Sequence, residues 1–146
     1  MMKRPLFVFL RDSLRNSVIG LRRWCLVHAF GMNIGKGTIV SFKAYLDKSN
    51  PRGIHIGEKS YIAADSLVLS HDYINKRHVQ THIGRHVFIG AKAIILPGCD
   101  IADSVVVGAG AVVSEPVTES NVIVAGNPAR IIKRNVRIGA FGQKKR

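Results

Sequence analysis

Residues 83–118 read IGRHVF IGAKAI ILPGCD IADSVV VGAGAV VSEPVT, six successive hexads that open on Ile83, Ile89, Ile95, Ile101, Val107 and Val113. A helix repeats near 3.6 residues and a strand near 2, so neither demands a period of six. The same beat runs upstream, where Ile34, Val40 and Leu46 form one triplet and Ile56, Ile62 and Val68 another. The fifth places of the twelve rungs hold Thr38, Ala44, Asn50, Ser60, Ser66, Asp72, Val87, Ala93, Cys99, Val105, Ala111 and Val117, which are mostly small. A short strand and a bend, repeated three times per coil, make a prism that takes one aliphatic and one small side chain per rung, with parallel strands stacked coil on coil. Gly35, Gly57, Gly84, Gly90 and Gly108 fall at second places, where a missing Cβ is expected to permit backbone geometry that other residues resist. The expected fold is all-β, a parallel β-helix of about four to five coils.

Between about Ile34 and Lys133 these rungs resemble the hexapeptide repeat of the left-handed β-helix acyltransferases. Left-handedness is implied by that resemblance, since crossovers are ordinarily right-handed. The resemblance implies acyl transfer, although the same fold also carries carbonic anhydrases and purely structural repeats.

The chain has 146 residues, 47% of them hydrophobic, as expected for one small domain: a helical segment at 1–33, the β-helix at 34–133 with a loop at 73–82, and a basic tail at 134–146. Cys25 and Cys99 form no paired framework, which suits reduced thiols and a cytoplasmic location. Pro5–Leu10 is too short, and too soon followed by Arg11 and Asp12, to be a signal core, and no run reaches membrane-spanning length. The net charge of +13 belongs to the ends: residues 1–33 carry six Lys or Arg against Asp12, and residues 130–146 carry seven against no acid. No nucleic-acid reading module accompanies it, so nucleic acid is not an expected partner.

From Pro5 to Phe30, Phe7, Leu10, Leu14, Val18, Leu21 and Cys25 recur at helical spacing, with Arg11, Arg15 and Arg22 away from them and Gly31 as a stop. The favoured expectation is a cap whose apolar face covers the open first coil. The alternative is a basic amphipathic helix lying on an anionic membrane, peripheral at the inner face.

The beat breaks twice. Leu46 to Ile56 spans ten residues, and Ser49-Asn50-Pro51-Arg52-Gly53 reads as a bulging corner. Val68 to Ile83 spans fifteen, so a loop leaves the coil carrying Tyr73, Asn75, Lys76, Arg77 and His78, candidates to shape an acceptor pocket. Asp72 falls at an inward fifth place, where an unpaired carboxylate is costly, so the rung must distort or supply a partner.

Leu69-Ser70-His71-Asp72 is similar to the histidine motif of the sugar O-acetyltransferases in this family. That implies His71 as general base, taking the proton of an acceptor hydroxyl as its oxygen attacks the thioester carbon of acetyl-CoA. Asp72 either orients the imidazole or binds an acceptor hydroxyl; the sequence leaves both open. His28, His55, His78, His82 and His86 are read as ordinary, none compelled to face His71. The ligand spacing of the family's carbonic anhydrases is not visible among them, so no metal is expected.

Ile89-Gly90-Ala91, Val107-Gly108-Ala109-Gly110-Ala111 and Gly126-Asn127-Pro128-Ala129-Arg130 resemble the acetyl-CoA-binding part of these enzymes. The resemblance implies that Ala91 and Ala109 offer backbone groups to the pantetheine arm, and that Ser114, Arg130 and Lys133 lie towards the nucleotide, where guanidinium and ammonium groups suit phosphate. Glu115 stands where the family commonly has Lys, and Lys133, Arg134 and Arg137 can compensate. After the turn at Ala125–Pro128 a last segment is expected to leave the prism, with Gln143–Arg146 frayed.

The resulting expectation is an acetyl-CoA-dependent O-acetyltransferase acting on a sugar hydroxyl in surface polysaccharide or lipopolysaccharide synthesis. A homotrimer, as in the family, would supply the second wall of each cleft. Alternatives are N-acetylation of an amino nucleotide sugar, O-acetylation of serine, or a non-catalytic β-helix that binds membrane or an acidic partner.

Overall fold

All twelve aliphatic first places are buried in the computed structural model of the chain, which describes residues 6–145. Pro5 and Arg146, the expected helix start and tail end, lie outside that range. The chain forms a left-handed parallel β-helix of four coils and a partial fifth, preceded by one helix, α1 (Leu6–His28). Face one of the prism carries Asn33–Ile34, Ile54–Ile56, Thr81–Ile83 and Asp100–Ile101. Face two carries Ile39–Val40, Tyr61–Ile62, Phe88–Ile89, Val105–Val107 and Val122–Ala125, and face three Tyr45–Leu46, Leu67–Val68, Ile94–Ile95 and Val112–Val113.

Registration along each face aligns like with like: Ile34 with Ile56, Ile83 and Ile101 on face one, and Leu46 with Val68, Ile95 and Val113 on face three. Fully burying each such side chain contributes about 1.5–3 kcal/mol, so these ladders dominate cohesion. Inward hydroxyls tie coil to coil as well. Ser60 Oγ donates to the Gly84 carbonyl at 2.9 Å and accepts from the Val87 N–H at 3.0 Å, while Thr38 donates to the Gly57 carbonyl at 2.6 Å. Every fifth place is buried except Asp72, because the chain leaves the coil two residues earlier, after the buried Ser70.

The second-place glycines have a different cause from the expected one. None of Gly35, Gly57, Gly84, Gly90 or Gly108 has positive φ. Instead a Cβ on Gly57 would stand 2.5 Å from the Gly84 carbonyl carbon, and one on Gly90 2.5 Å from the Ala109 nitrogen, so small size here permits the close approach of successive coils. Positive φ falls at the fourth place, where Lys59, Asp65, His86, Lys92 and Ser104 hold values of 51–59° beside Gly37, Gly98 and Gly110.

Helix α1 does cap the first coil, but not with the expected face. Arg23 donates to the carbonyls of Gly35 (3.0 Å) and Ile34 (3.2 Å), Arg22 to those of Phe42 (3.0 Å) and Ala44 (2.9 Å), and Leu26 is buried. The open coil edge presents unpaired carbonyls, and guanidinium groups satisfy them better than leucines can. Phe7, Leu10, Leu14 and Leu21 consequently stay exposed, with Leu14 and Leu21 bordering grooves between the helix and the prism.

At the other end the chain does not leave the prism. Arg130–Lys133 turns back antiparallel on Val122–Ala125, covering the open edge of face two. Nor is the tail frayed through Lys145. Val136 and Ile138 are buried, Val136 N–H donates to the Asn121 carbonyl at 2.9 Å, Phe141 N–H to Lys59 at 2.7 Å, and Lys145 N–H to Arg137 at 2.8 Å.

Candidate active site

Both interruptions of the hexad occur at the corner between faces three and one, on consecutive coils, and they are built into each other. The longer one is a tight antiparallel hairpin rather than an open loop: His71–Asp72 pairs with Arg77–His78, and the Val79 N–H returns to the Ser70 carbonyl at 2.9 Å. The shorter one, a single 3-10 turn at Pro51–Gly53, brings Asn50 beneath that hairpin. Asn50 Nδ2 donates to the carbonyls of Ser70 (2.8 Å) and Val79 (2.9 Å), and Ser70 Oγ donates back to the Asn50 carbonyl at 2.7 Å.

Asp47 completes the support. Only 2% exposed, it accepts the N–H groups of Ser70 (3.1 Å) and His71 (2.9 Å) on one oxygen, and the N–H and hydroxyl of Ser49 on the other. Burial pushes its carboxyl up, but the bonds from the Ser49 hydroxyl and the three backbone N–H groups outweigh this and hold it below the usual carboxylate range. The sequence reading missed Asp47. Its signal was present, as an acid at the second place of a rung directly before a break.

The His71 ring lies 4.0 Å from that of Tyr73, tilted by 36°, and 4.8 Å from that of His78, edge-on at 89°. Thus His78, a loop residue that the sequence did not compel to face His71, does so because hairpin register sets the two opposite each other. Nδ1 of His71 is buried without a hydrogen-bond partner. Asp72, next to it, turns the other way. Its carboxylate accepts from the Asn75 side chain at 2.6 Å and from the N–H groups of Asn75 and Ile74 at 3.1 Å each, and stands 3.5 Å from Arg77. Those bonds, the Asn75 side chain first, hold its carboxyl below the ordinary value. The rung has distorted around Asp72, which shapes the hairpin turn.

The donor residues suggested by the resemblance do not surround His71 within one chain. Ala91 and Ala109 stack at the corner between faces two and three, both exposed, with the Ala91 carbonyl accepting from the Gly110 N–H at 2.9 Å. Ser114 is exposed at the His71 corner but two coils further on, and Arg130 and Lys133 sit exposed on the terminal strand. Arg130 approaches Glu115 at 3.4 Å, so the acid that breaks the family pattern holds one of the expected phosphate contacts. Of the other histidines, His55 and His82 stack at 4.5 Å on face one, where His82 meets Asp100 at 2.8 Å. Among the described residues no cluster of three or more His, Cys, Asp or Glu side chains could hold a metal ion.

The family model described as bacterial transferase hexapeptide (six repeats) matches residues 80–115. The Bacillus subtilis protein named "Putative acetyltransferase YvoF" is 33% identical over 128 residues, covering 86% of this chain and 74% of that protein. This chain belongs to the hexapeptide-repeat acyltransferase family. Another member, the Escherichia coli "Putative lipopolysaccharide biosynthesis O-acetyl transferase WbbJ", is 32% identical over 103 residues, covering 70% of this chain and 50% of that one. Among solved structures, a maltose O-acetyltransferase from Clostridium difficile superposes with a TM-score of 0.61 at 27% identity, covering 77% of this chain and 74% of that one. Against this hexapeptide-acyltransferase background, the two breaks are where this chain departs from its own repeat.

Proposed function

We propose that the protein is an acetyl-CoA-dependent O-acetyltransferase whose acceptor is a sugar hydroxyl in surface polysaccharide or lipopolysaccharide synthesis, with His71 as general base. The observation that carries this reading is the construction of the His71 corner: two departures from the hexad, on adjacent coils, converge through Asp47, Asn50 and Ser70 to fix one imidazole. A repeat that needed only to stack would gain nothing from either. The relatives' names support the reading: YvoF is a putative acetyltransferase, WbbJ a putative O-acetyl transferase of lipopolysaccharide biosynthesis, and the superposed structure a maltose O-acetyltransferase.

In the reaction the acceptor oxygen attacks the thioester carbonyl carbon while neutral His71 takes its proton. The tetrahedral intermediate collapses, the C–S bond breaks, and the CoA thiolate leaves and receives the proton from the imidazolium. Tyr73 and His78 limit the tilt of the His71 ring. Ala91 and Ala109, small and exposed, allow an extended pantetheine arm to lie against the corner they share, and Ser114, Arg130 and Lys133 reach towards the nucleotide phosphates. Asp72 acts through the hairpin and its acceptor-facing residues. Because the donor corner and the His71 corner are different edges of one prism, a neighbouring subunit of a homotrimer closes each cleft. An acyl-CoA donor and the free thiols of Cys25 and Cys99 support a cytoplasmic location.

Replacing His71 with alanine tests the reading. Transfer from acetyl-CoA to a saccharide acceptor should fall by about 10²–10⁴-fold, with melting temperature and acetyl-CoA affinity unchanged. Undiminished turnover would remove His71 from the mechanism.

A further inference from the structure

Six large apolar residues of α1, Leu6, Phe7, Leu10, Leu14, Leu21 and Trp24, are 57–75% exposed. At 3.6 residues per turn they fall, with Val18, inside one arc of about 120°. The side of α1 that docks on the first coil is the other one, carrying Arg22, Arg23 and Leu26. An amphipathic helix ordinarily spends its apolar stripe on its own core; this one is held to the core by arginine–carbonyl bonds and leaves the stripe unspent. The stripe continues onto the prism through Phe42, itself exposed, which lines grooves with Leu14, Val18 and Leu21. Two grooves run beside the helix, one rimmed by Arg11, Arg15 and Lys43, the other by Arg22 and Lys48.

We infer that this face of α1 binds the surface of an anionic phospholipid membrane, lying in the interface plane with its leucines and aromatic rings among the acyl chains and its basic flanks among the headgroups. Charge selects this occupant. The first 33 residues carry six Lys or Arg against the single acid Asp12, which is already paired to Arg11 at 3.0 Å. A second copy of the same segment would bring like charges together, whereas an anionic headgroup layer offers the complement. The helix of 23 residues is about 35 Å long, enough for a monolayer contact of several turns. No described helix is long and apolar enough to cross a membrane, so the contact is with a surface. This inference does not depend on the acyl-transfer reading, and its test measures no turnover.

The test is vesicle flotation of the full chain, comparing phosphatidylcholine alone with phosphatidylcholine containing phosphatidylglycerol, for the wild type, for Leu10→Gln with Leu14→Gln, and for Arg11→Gln with Arg15→Gln. The wild type should float with the anionic vesicles and only weakly with the neutral ones. The leucine pair leaves the charge at +13 and should lower binding more than about tenfold, which separates insertion from plain adhesion of a basic protein. The arginine pair should weaken binding and its salt dependence together. Circular dichroism confirms that each variant is folded. Absence of flotation with anionic vesicles overturns the inference, as does binding indifferent to the leucine pair. A leucine pair that changes the oligomer's mass in light scattering while the wild type fails to float would assign the face to a subunit contact instead.

Discussion

Asp47→Asn should loosen the support beneath the His71 corner without changing its size. The carboxylate presents one oxygen to the N–H groups of Ser70 and His71 and the other to the N–H and hydroxyl of Ser49, all inside a site 2% exposed. An amide keeps only one oxygen, so whichever way it turns, one pair of donors meets an NH2 group. A hydrogen bond to a charged group is worth about 1.5–3 kcal/mol and an orphaned buried donor costs about 1–3 kcal/mol, so a net loss of about 3 kcal/mol is expected after local relaxation. At about 2–4 °C per kcal/mol for a chain of this length, the melting temperature should drop by about 6–12 °C at neutral pH and fixed protein concentration. The pH dependence gives the decisive signature. Because the folded carboxyl is held below its unfolded value of about 4, its contribution is complete above that value and is lost as pH falls through the lower folded value. The gap between wild type and Asp47→Asn should therefore narrow in melts taken progressively below about pH 4. Equal melting temperatures at pH 7, or a gap that persists undiminished into strong acid, would refute the role given to Asp47.

Glycine replacements distinguish close approach from backbone freedom. In denaturant unfolding Gly90→Ala, whose Cβ meets the Ala109 nitrogen at 2.5 Å, should cost about 3 kcal/mol, and Gly110→Ala, with open space but φ of 69°, about 1 kcal/mol. Ser60→Ala orphans the Val87 N–H and the Gly84 carbonyl inside the prism and should cost about 2–3 kcal/mol in the same measurement. Glu115→Gln frees Arg130, and calorimetric titration should show acetyl-CoA binding several-fold tighter, with the gain shrinking as salt is raised.

The prism was legible because its signal is repeated: any one aliphatic residue says little, but twelve in phase specify face, coil and register together. The fifth-place rule worked for the same reason, and its single exception, Asp72, marked the corner where the chain leaves the coil, its carboxylate serving the hairpin turn. Features that depend on contact between distant, non-repeating residues were not legible. Asp47 lies 24 positions before His71, and only the stacking of coils reveals that it binds the His71 backbone. The pairing of His71 with His78 needed the hairpin register, which a turn-rich stretch does not fix. Helix α1 misled because periodicity identifies an apolar stripe without saying what covers it; the coil edge it caps is a row of carbonyl groups, and those called for Arg22 and Arg23.

Stacking in strict register gives the prism the property of a ruler. Each coil advances its side chains by about 4.8 Å, the spacing of hydrogen-bonded strands, so positions at a given corner are available only at whole multiples of that step. Ala91 and Ala109 occupy the same corner on successive coils and are one graduation apart. The reach between the His71 corner and the last strand is therefore quantised: evolution can lengthen it by inserting eighteen residues, or not at all. On the donor path proposed above, arms that differ by less than one graduation would be told apart by side chains at the ends of the scale, where Glu115 and Arg130 stand.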